Sequence, residues 1–224
     1  MRCGKASSYP LEFAEKMRIE AIRECINHCE EEFDESVYNE CLEIVEQTDL
    51  RNVADLKSTI RRFLYTWGRM GRVLGRNKFK NWENRLVAKI ESSRKELEEL
   101  RLKDLSLINL DKYESVVKHN YASFSHVVGP IAAAKTLHLI CPNFFPLWDN
   151  AIAAAIRNER KGRKDDKFSP ADYLKFMKEV QIFANRYEQV LGELVNQYKK
   201  GKLRILDEFF WWMTQRPMSL FMTR

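Results

Sequence analysis

Residues 123–157 read SFSHVVGPIAAAKTLHLICPNFFPLWDNAIAAAIR, and they carry the clearest structural pattern in the chain. The run of small residues after Gly129 is typical of a helix that packs very closely on a neighbour. Pro130 suits the first turn of that helix, where its missing amide hydrogen costs nothing. Gly129 permits a close approach of the backbone to a neighbour or a ligand. The pattern therefore predicts two helices joined by a short turn.

This turn is a candidate phosphate-binding site. The first amides of a helix have no intrahelical partner, and the helix dipole favours negative charge at the same end. A pair of helices joined in this way can hold a DNA backbone without reading its sequence. The predicted DNA contacts at the turn are Val127, Val128, Gly129, Pro130 and Ile131.

Asp149 is the candidate catalytic residue of this stretch. Cys141 to Asn143 break the preceding helix, and an extended apolar connection leads to Trp148 and Asp149, where a further helix begins. Asp149 stands where an N-cap is expected, and such a cap contributes about 0.5–2 kcal/mol of stability. A carboxylate in a partly apolar cleft can alternatively act as a general base or stabilise a cation.

The rest of the chain predicts long helices. Only eight glycines and six prolines interrupt 224 residues, fewer than is typical of a sandwich or barrel. Ser169 is a predicted N-cap with Pro170 as the first helical residue. We predict an all-α fold, with residues 1–224 forming a single domain that can be divided into two helical lobes. Outside residues 113–158, apolar spacing predicts helices over residues 11–32, 36–47, 52–67, 79–102, 169–198 and 203–215.

Charge and cysteine content indicate the kind of partner and the cellular compartment to expect. The net charge is +6 and the pI is near 9.0, which is compatible with a polyanionic partner such as nucleic acid. The first ten residues have no apolar core of secretory length, and no apolar window is long enough to span a membrane. Five scattered cysteines do not indicate a secreted disulfide framework. We expect an intracellular protein, cytoplasmic or, in a eukaryote, nuclear.

Residues 113–158 resemble the helix-hairpin-helix core of the base-excision DNA glycosylase superfamily. In that family a turn of the form LPGVG leads into a helix, and a catalytic aspartate in a context such as VDTHV follows about twenty residues after the second glycine. Gly129 matches that glycine, and Asp149 in LWDNAI matches the aspartate. The resemblance implies that double-stranded DNA is bound and that an N-glycosidic bond of an extruded base is hydrolysed. Asp149 would activate water or stabilise the oxocarbenium-like sugar, with no metal or organic cofactor.

The chain departs from the family at two positions of the turn. Val127 replaces the first glycine, and Ile131 occupies the position of the lysine nucleophile that bifunctional members carry. A Schiff-base mechanism at that position is therefore not expected. Lys135, one helical turn further along, is the lysine that remains as a candidate for the same pocket.

Three other groups of residues have a functional and a structural interpretation. The basic stretch after Ile156 supplies the candidate DNA contacts Arg157, Arg160 and Lys161, or is a solvated loop. The cysteines and histidine over residues 25–29 lack the paired spacing of a closed zinc site, which favours packing on a buried face. The aromatic residues 209–212 could stack on an extruded base, but four in a row cannot share one helix face, so core packing is favoured.

Two other functions remain open. One is a helix-hairpin-helix module that binds nucleic acid and catalyses nothing. The other is a helical protein-interaction protein in which the Gly/Ala run packs helix on helix. Because function resides in a site and not in a fold, the sequence leaves these alternatives unresolved.

Overall fold

The computed structural model describes residues 19–32, 34–156 and 168–215. Within these ranges the protein is all-α, as predicted, and contains no strand. None of the described helices is both long and apolar enough to cross a membrane. The chain divides into two compact units. The central unit comprises residues 34–147, and the terminal unit joins the residues before 34 to those from 148 onward.

In chain order the α-helices of the described ranges are α1 (Ile19–Glu32), α2 (Ser36–Gln47), α3 (Val53–Arg62), α4 (Gly71–Leu74), α5 (Trp82–Ser92), α6 (Arg94–Arg101), α7 (Glu114–Val128), α8 (Pro130–Ile140), α9 (Asn150–Ile156), α10 (Pro170–Arg186), α11 (Glu188–Tyr198) and α12 (Lys202–Thr214). A π-helical turn over Phe63–Trp67 extends α3. Short 3-10 turns lie at Asn77–Phe79 and Leu110–Tyr113.

Local sequence signals explain where several helices begin and end. The Ser169 hydroxyl accepts the Asp172 amide at 3.1 Å and caps α10, as predicted. The helices predicted over residues 79–102 and 169–198 are each divided in two. The breaks fall at Ser93 (φ −100°, ψ 5°) and Tyr187 (φ −106°, ψ 25°). Both residues are buried, so the bends let each half keep its apolar face against the core of its own unit.

The core of the central unit is built around α7 and α8, which pack against each other along their length. The run from Ala132 to Ala134 is fully buried, because alanines let the two helix backbones approach closely. α3 packs on α5, and α2 packs on α3 and α8. Large apolar side chains close this interior, and each contributes about 1.5–3 kcal/mol of burial. They include Phe63, Leu64, Tyr121, Phe124 and Leu137.

The terminal unit has an aromatic core. Trp148 packs edge-on against Phe176 with ring centroids 4.7 Å apart, and α12 packs against α1, α9, α10 and α11. In the aromatic run of α12, Phe209 and Trp212 are buried whereas the two residues between them are partly exposed. The prediction that the four aromatics face different ways is therefore confirmed.

Candidate functional site

The turn between α7 and α8 consists of a single residue, Gly129. Its backbone angles are φ 85° and ψ 160°, a region that is essentially restricted to glycine. The Gly129 amide donates to Ser125 O at 2.9 Å, and its carbonyl accepts from the Ala133 amide at 2.9 Å. One residue thus ends one helix and begins the next. A Cβ at this position would lie 3.1 Å from Cζ of Phe79, so space also requires glycine here.

The predicted contact residues of the turn differ in exposure. Val127, Val128 and Gly129 are buried, whereas Pro130 and Ile131 are partly exposed. The two valine side chains therefore belong to the packing of α7. Solvent reaches the turn at the first residues of α8, where the backbone amides lack intrahelical partners.

Lys135 has contacts of its own within the central unit. Its ammonium donates to Gly68 O at 3.0 Å and lies 5.0 Å from the centroid of the Trp67 ring. Both groups belong to the end of the π-helical turn that follows α3. A charged hydrogen bond combined with a cation–π contact is a stabilising arrangement, so this lysine has a structural role that is independent of catalysis.

Asp149 is the N-cap of α9. Its Oδ1 accepts the Ile152 amide at 2.8 Å, and its carbonyl accepts the Ala153 amide at 2.9 Å. The side chain is half-buried, and no hydrogen bond to Oδ2 is formed within the described residues. The carboxylate therefore has one oxygen committed to the cap and one that can face a ligand. Asp149 belongs to the terminal unit and Gly129 to the central unit.

His138 is the buried histidine of the central unit. Its Nδ1 lies 2.8 Å from Phe145 O, and its Nε2 lies 2.7 Å from the Tyr38 hydroxyl. A carbonyl can only accept, so Nδ1 donates to Phe145 O. The imidazole thus ties α2, α8 and the connection after α8 together through its two hydrogen bonds.

Arg157, Arg160 and Lys161 lie outside the described residues. Cys25 and Cys29 are buried on one face of α1, which confirms their interpretation as small apolar residues. Sequence inspection did not single out the basic residues after Arg72. Several of these lie beside Phe79, the residue that contacts Gly129, and the density of lysine and arginine over residues 69–85 was the signal available.

Comparison of the chain with protein-family models, curated proteins and solved structures found no significant match.

Proposed function

We propose that the protein binds double-stranded DNA through a helix-hairpin-helix formed by α7 and α8, and that it resembles a monofunctional base-excision DNA glycosylase. The observation that carries the proposal is the turn at Gly129, with φ 85°, followed twenty residues later by a half-buried carboxylate at a helix N-terminus. The geometry of each feature, taken alone, suits the role that the family resemblance gives it.

The turn supports binding of the DNA backbone. Pro130 and Ile131 are the parts of the turn that solvent reaches. Pro130 has no amide hydrogen, the Ala133 amide donates to Gly129 O, and Ala132 is buried. The Ile131 amide is therefore the one in this turn that can donate to a phosphate oxygen, and the helix dipole favours an anion at this end. Such contacts position a duplex without reading its sequence.

Asp149 supports a hydrolytic role. Oδ1 is held in place by the Ile152 amide, so Oδ2 has a fixed direction. In the proposed reaction Oδ2 accepts a proton from water, or stabilises the positive charge that develops on the sugar, while the bond between C1′ and the base breaks. The bonding electron pair leaves with the base, and the water oxygen bonds to C1′. The proton that water gives up passes from Oδ2 or through solvent to the base, which leaves as the neutral free base. Ile131 cannot form a Schiff base, and the Lys135 ammonium donates to Gly68 O, so the proposed product is an abasic site in an uncleaved strand.

The test is base release from a panel of duplexes, each carrying one damaged or mismatched base, with alkali converting abasic sites to breaks. Asp149→Asn is the informative variant, because asparagine caps helices about as well as aspartate and keeps an oxygen for the Ile152 amide. Asp172→Asn is the matched control. It removes another carboxylate from the first turn of a helix in the same unit, one that accepts from the Ser169 hydroxyl at 2.7 Å.

We expect the parent and Asp172→Asn to release a base and Asp149→Asn to lose at least a hundredfold in rate at unchanged melting temperature. Equal rates in all three proteins would exclude a catalytic role for Asp149.

A non-catalytic DNA-binding module is the alternative, and the cap hydrogen bond of Asp149 favours it because that bond alone accounts for the aspartate. Salt-sensitive DNA binding by the parent, with no release from any duplex, would select this alternative. Absence of both binding and release would favour the helical protein-interaction role instead.

A further inference from the structure

Basic charge is concentrated in one part of the central unit. Residues 51–85 contain ten lysines and arginines and two acidic residues, a net charge of +8 against +6 for the whole chain. The remainder of the sequence is therefore slightly acidic. This distribution places the positive potential of the protein on α3 and on the connection between α3 and α5.

Two adjoining shallow clefts of about 490 and 500 Å³ open on this part of the central unit. Both are lined by Lys57 and Glu83, so they form one continuous depression. Asparagine side chains at positions 77, 81 and 84 add neutral hydrogen-bond donors to the first cleft. The basic residues that line the clefts are Lys57, Arg61, Arg62, Arg76 and Lys80. We call these five residues the basic surface.

Acidic neighbours neutralise only part of this charge, and Glu40 pairs with Arg62. Glu83 is the one carboxylate that lines the clefts; its distances to Arg61 and Lys57 are 3.4 and 4.0 Å. Arg76 and Lys80 are exposed and form no ion pair within the part of the chain that the structure describes. Their charges are thus available to a ligand.

The basic surface is adjacent to the turn between α7 and α8. Phe79, which lines the first cleft, is the residue whose ring would meet a Cβ on Gly129. Lys78 lies with its ammonium 4.8 Å from the centroid of the same ring. Arg85 donates to His126 O at 3.2 Å, near the end of α7. The connection between α3 and α5 is therefore adjacent to the turn at Gly129.

The connection carries unusual backbone conformations at both ends. Arg69 has φ 52° and Asn81 has φ 58°. The left-handed region costs an arginine about 1–2 kcal/mol, whereas asparagine adopts it readily. Strained residues such as Arg69 are concentrated at functional sites.

We propose that the basic surface binds the phosphodiester backbone of duplex DNA on the same side of the central unit as the turn at Gly129. The clefts are shallow and open, and their charges extend over two depressions, which suits a row of phosphates better than one small anion. Arginine, lysine and asparagine are residue types that contact phosphate and sugar oxygens. The inference rests on the proposed DNA binding and assigns it a surface that the turn alone does not supply.

The test compares three double variants of the full chain by fluorescence anisotropy with a labelled undamaged duplex, at several salt concentrations. Arg76→Glu/Lys80→Glu reverses two charges of the basic surface. Lys95→Glu/Lys112→Glu makes the same change in net charge at two exposed positions that line neither cleft. Arg76→Gln/Lys80→Gln removes the charges without adding repulsion. Circular dichroism melts establish that each variant is folded.

We expect the reversal to weaken binding at least tenfold and the control to change it less than threefold. The neutral variant should lower the slope of log K against log salt by about 2, because each phosphate contact contributes about 0.9. Equal losses of affinity in both reversal variants, or no loss in either, would show that the basic surface is not where DNA binds. The proposed DNA binding itself would still stand. Failure of the parent to bind any duplex would overturn the proposed function as well. Binding through this surface without base release would leave the inference standing and remove only the glycosylase activity.

Discussion

The two units bury their polar groups in different ways. In the central unit the Arg101 guanidinium donates to three carbonyls, those of Ile140 at 3.0 Å, Thr48 at 3.1 Å and Val45 at 2.9 Å. In the terminal unit Glu208 Oε1 accepts from Lys200 at 2.7 Å and pairs with Arg204 at 3.1 Å. The first arrangement uses one cation and neutral dipoles, and the second uses opposite charges.

The two arrangements stabilise different features of the two units. Thr48 and Ile140 lie at the ends of α2 and α8, where carbonyls have no intrahelical donor. Arg101 satisfies them and so fixes two helix ends in the central unit. In the terminal unit Lys200 also pairs with Glu30, so the ionic cluster joins the start of α12 to α1. The central unit depends on geometry that only a guanidinium provides, whereas the terminal unit depends on charge balance.

The largest effect should follow from removing the carboxylate of Glu208. Glu208→Gln keeps the shape but removes the carboxylate that Lys200 and Arg204 share, which leaves Lys200 paired only with Glu30 and Arg204 only with Asp207. Loss of one partner from a buried ion pair costs about 3–5 kcal/mol, and we expect a loss of about 4 kcal/mol in the free energy of unfolding by urea. The control is Glu193→Gln, which removes the exposed partner of Arg23 and should cost less than about 1 kcal/mol. Similar losses in the two variants would show that charge balance does not hold the terminal unit together.

A somewhat smaller effect is expected at Arg101. Burial lowers the pKa of this guanidinium, but the group remains charged. It stabilises the central unit because it holds several N–H donors at fixed angles. Arg101→Lys keeps the charge and reaches fewer carbonyls, and each one left unsatisfied costs about 1–3 kcal/mol. We expect a loss of about 3 kcal/mol in urea unfolding.

Arg94→Lys on the same helix is the control, since Arg94 pairs with Glu98 at 3.7 Å near the surface and its replacement should cost less than about 1 kcal/mol. Full stability of Arg101→Lys would mean that charge and not geometry is what the central unit requires.

Two glycines sharpen the comparison, because replacing them by alanine should change the stability of the protein in opposite directions. Gly129→Ala places a Cβ 3.1 Å from Phe79 at φ 85°, and we expect a loss of about 2 kcal/mol. Gly192→Ala lies within α11, where a Cβ would meet nothing within 4 Å, and alanine should raise stability by about 0.5–1 kcal/mol. Thermal unfolding of both variants tests this. An unchanged melting temperature in Gly129→Ala would show that the turn does not require glycine.

Helical spacing and end signals were enough to predict the all-α fold, the cap at Ser169 and the bounds of α2 and α12 within about a residue. The bends at Ser93 and Tyr187 were missed because neither residue is a helix breaker, and tertiary packing determines where the chain turns. At the candidate site, the sequence predicted a short turn at Gly129 and the cap position of Asp149. It placed Val127 and Val128 in the turn, whereas the structure places both in α7. Nothing in the sequence indicated that Lys135 is held by Gly68 and Trp67, since those residues lie almost seventy positions earlier in the chain.

The smallest effect concerns Cys141, which lies beside Arg101 in the central unit. Burial raises the pKa of its thiol to about 12 from an ordinary value of 9.0, and the positive charge of Arg101 opposes the shift only in part. The unfolded chain therefore loses this proton at lower pH than the folded chain, so stability should fall as pH rises from about 9 towards 12. Between pH 8 and pH 10 we expect the parent to lose about 1 kcal/mol more than Cys141→Ala, which has no thiol to titrate. Other groups titrate alike in both proteins, so parallel curves in urea unfolding would mean that the thiol ionises as easily in the folded protein as in the unfolded chain.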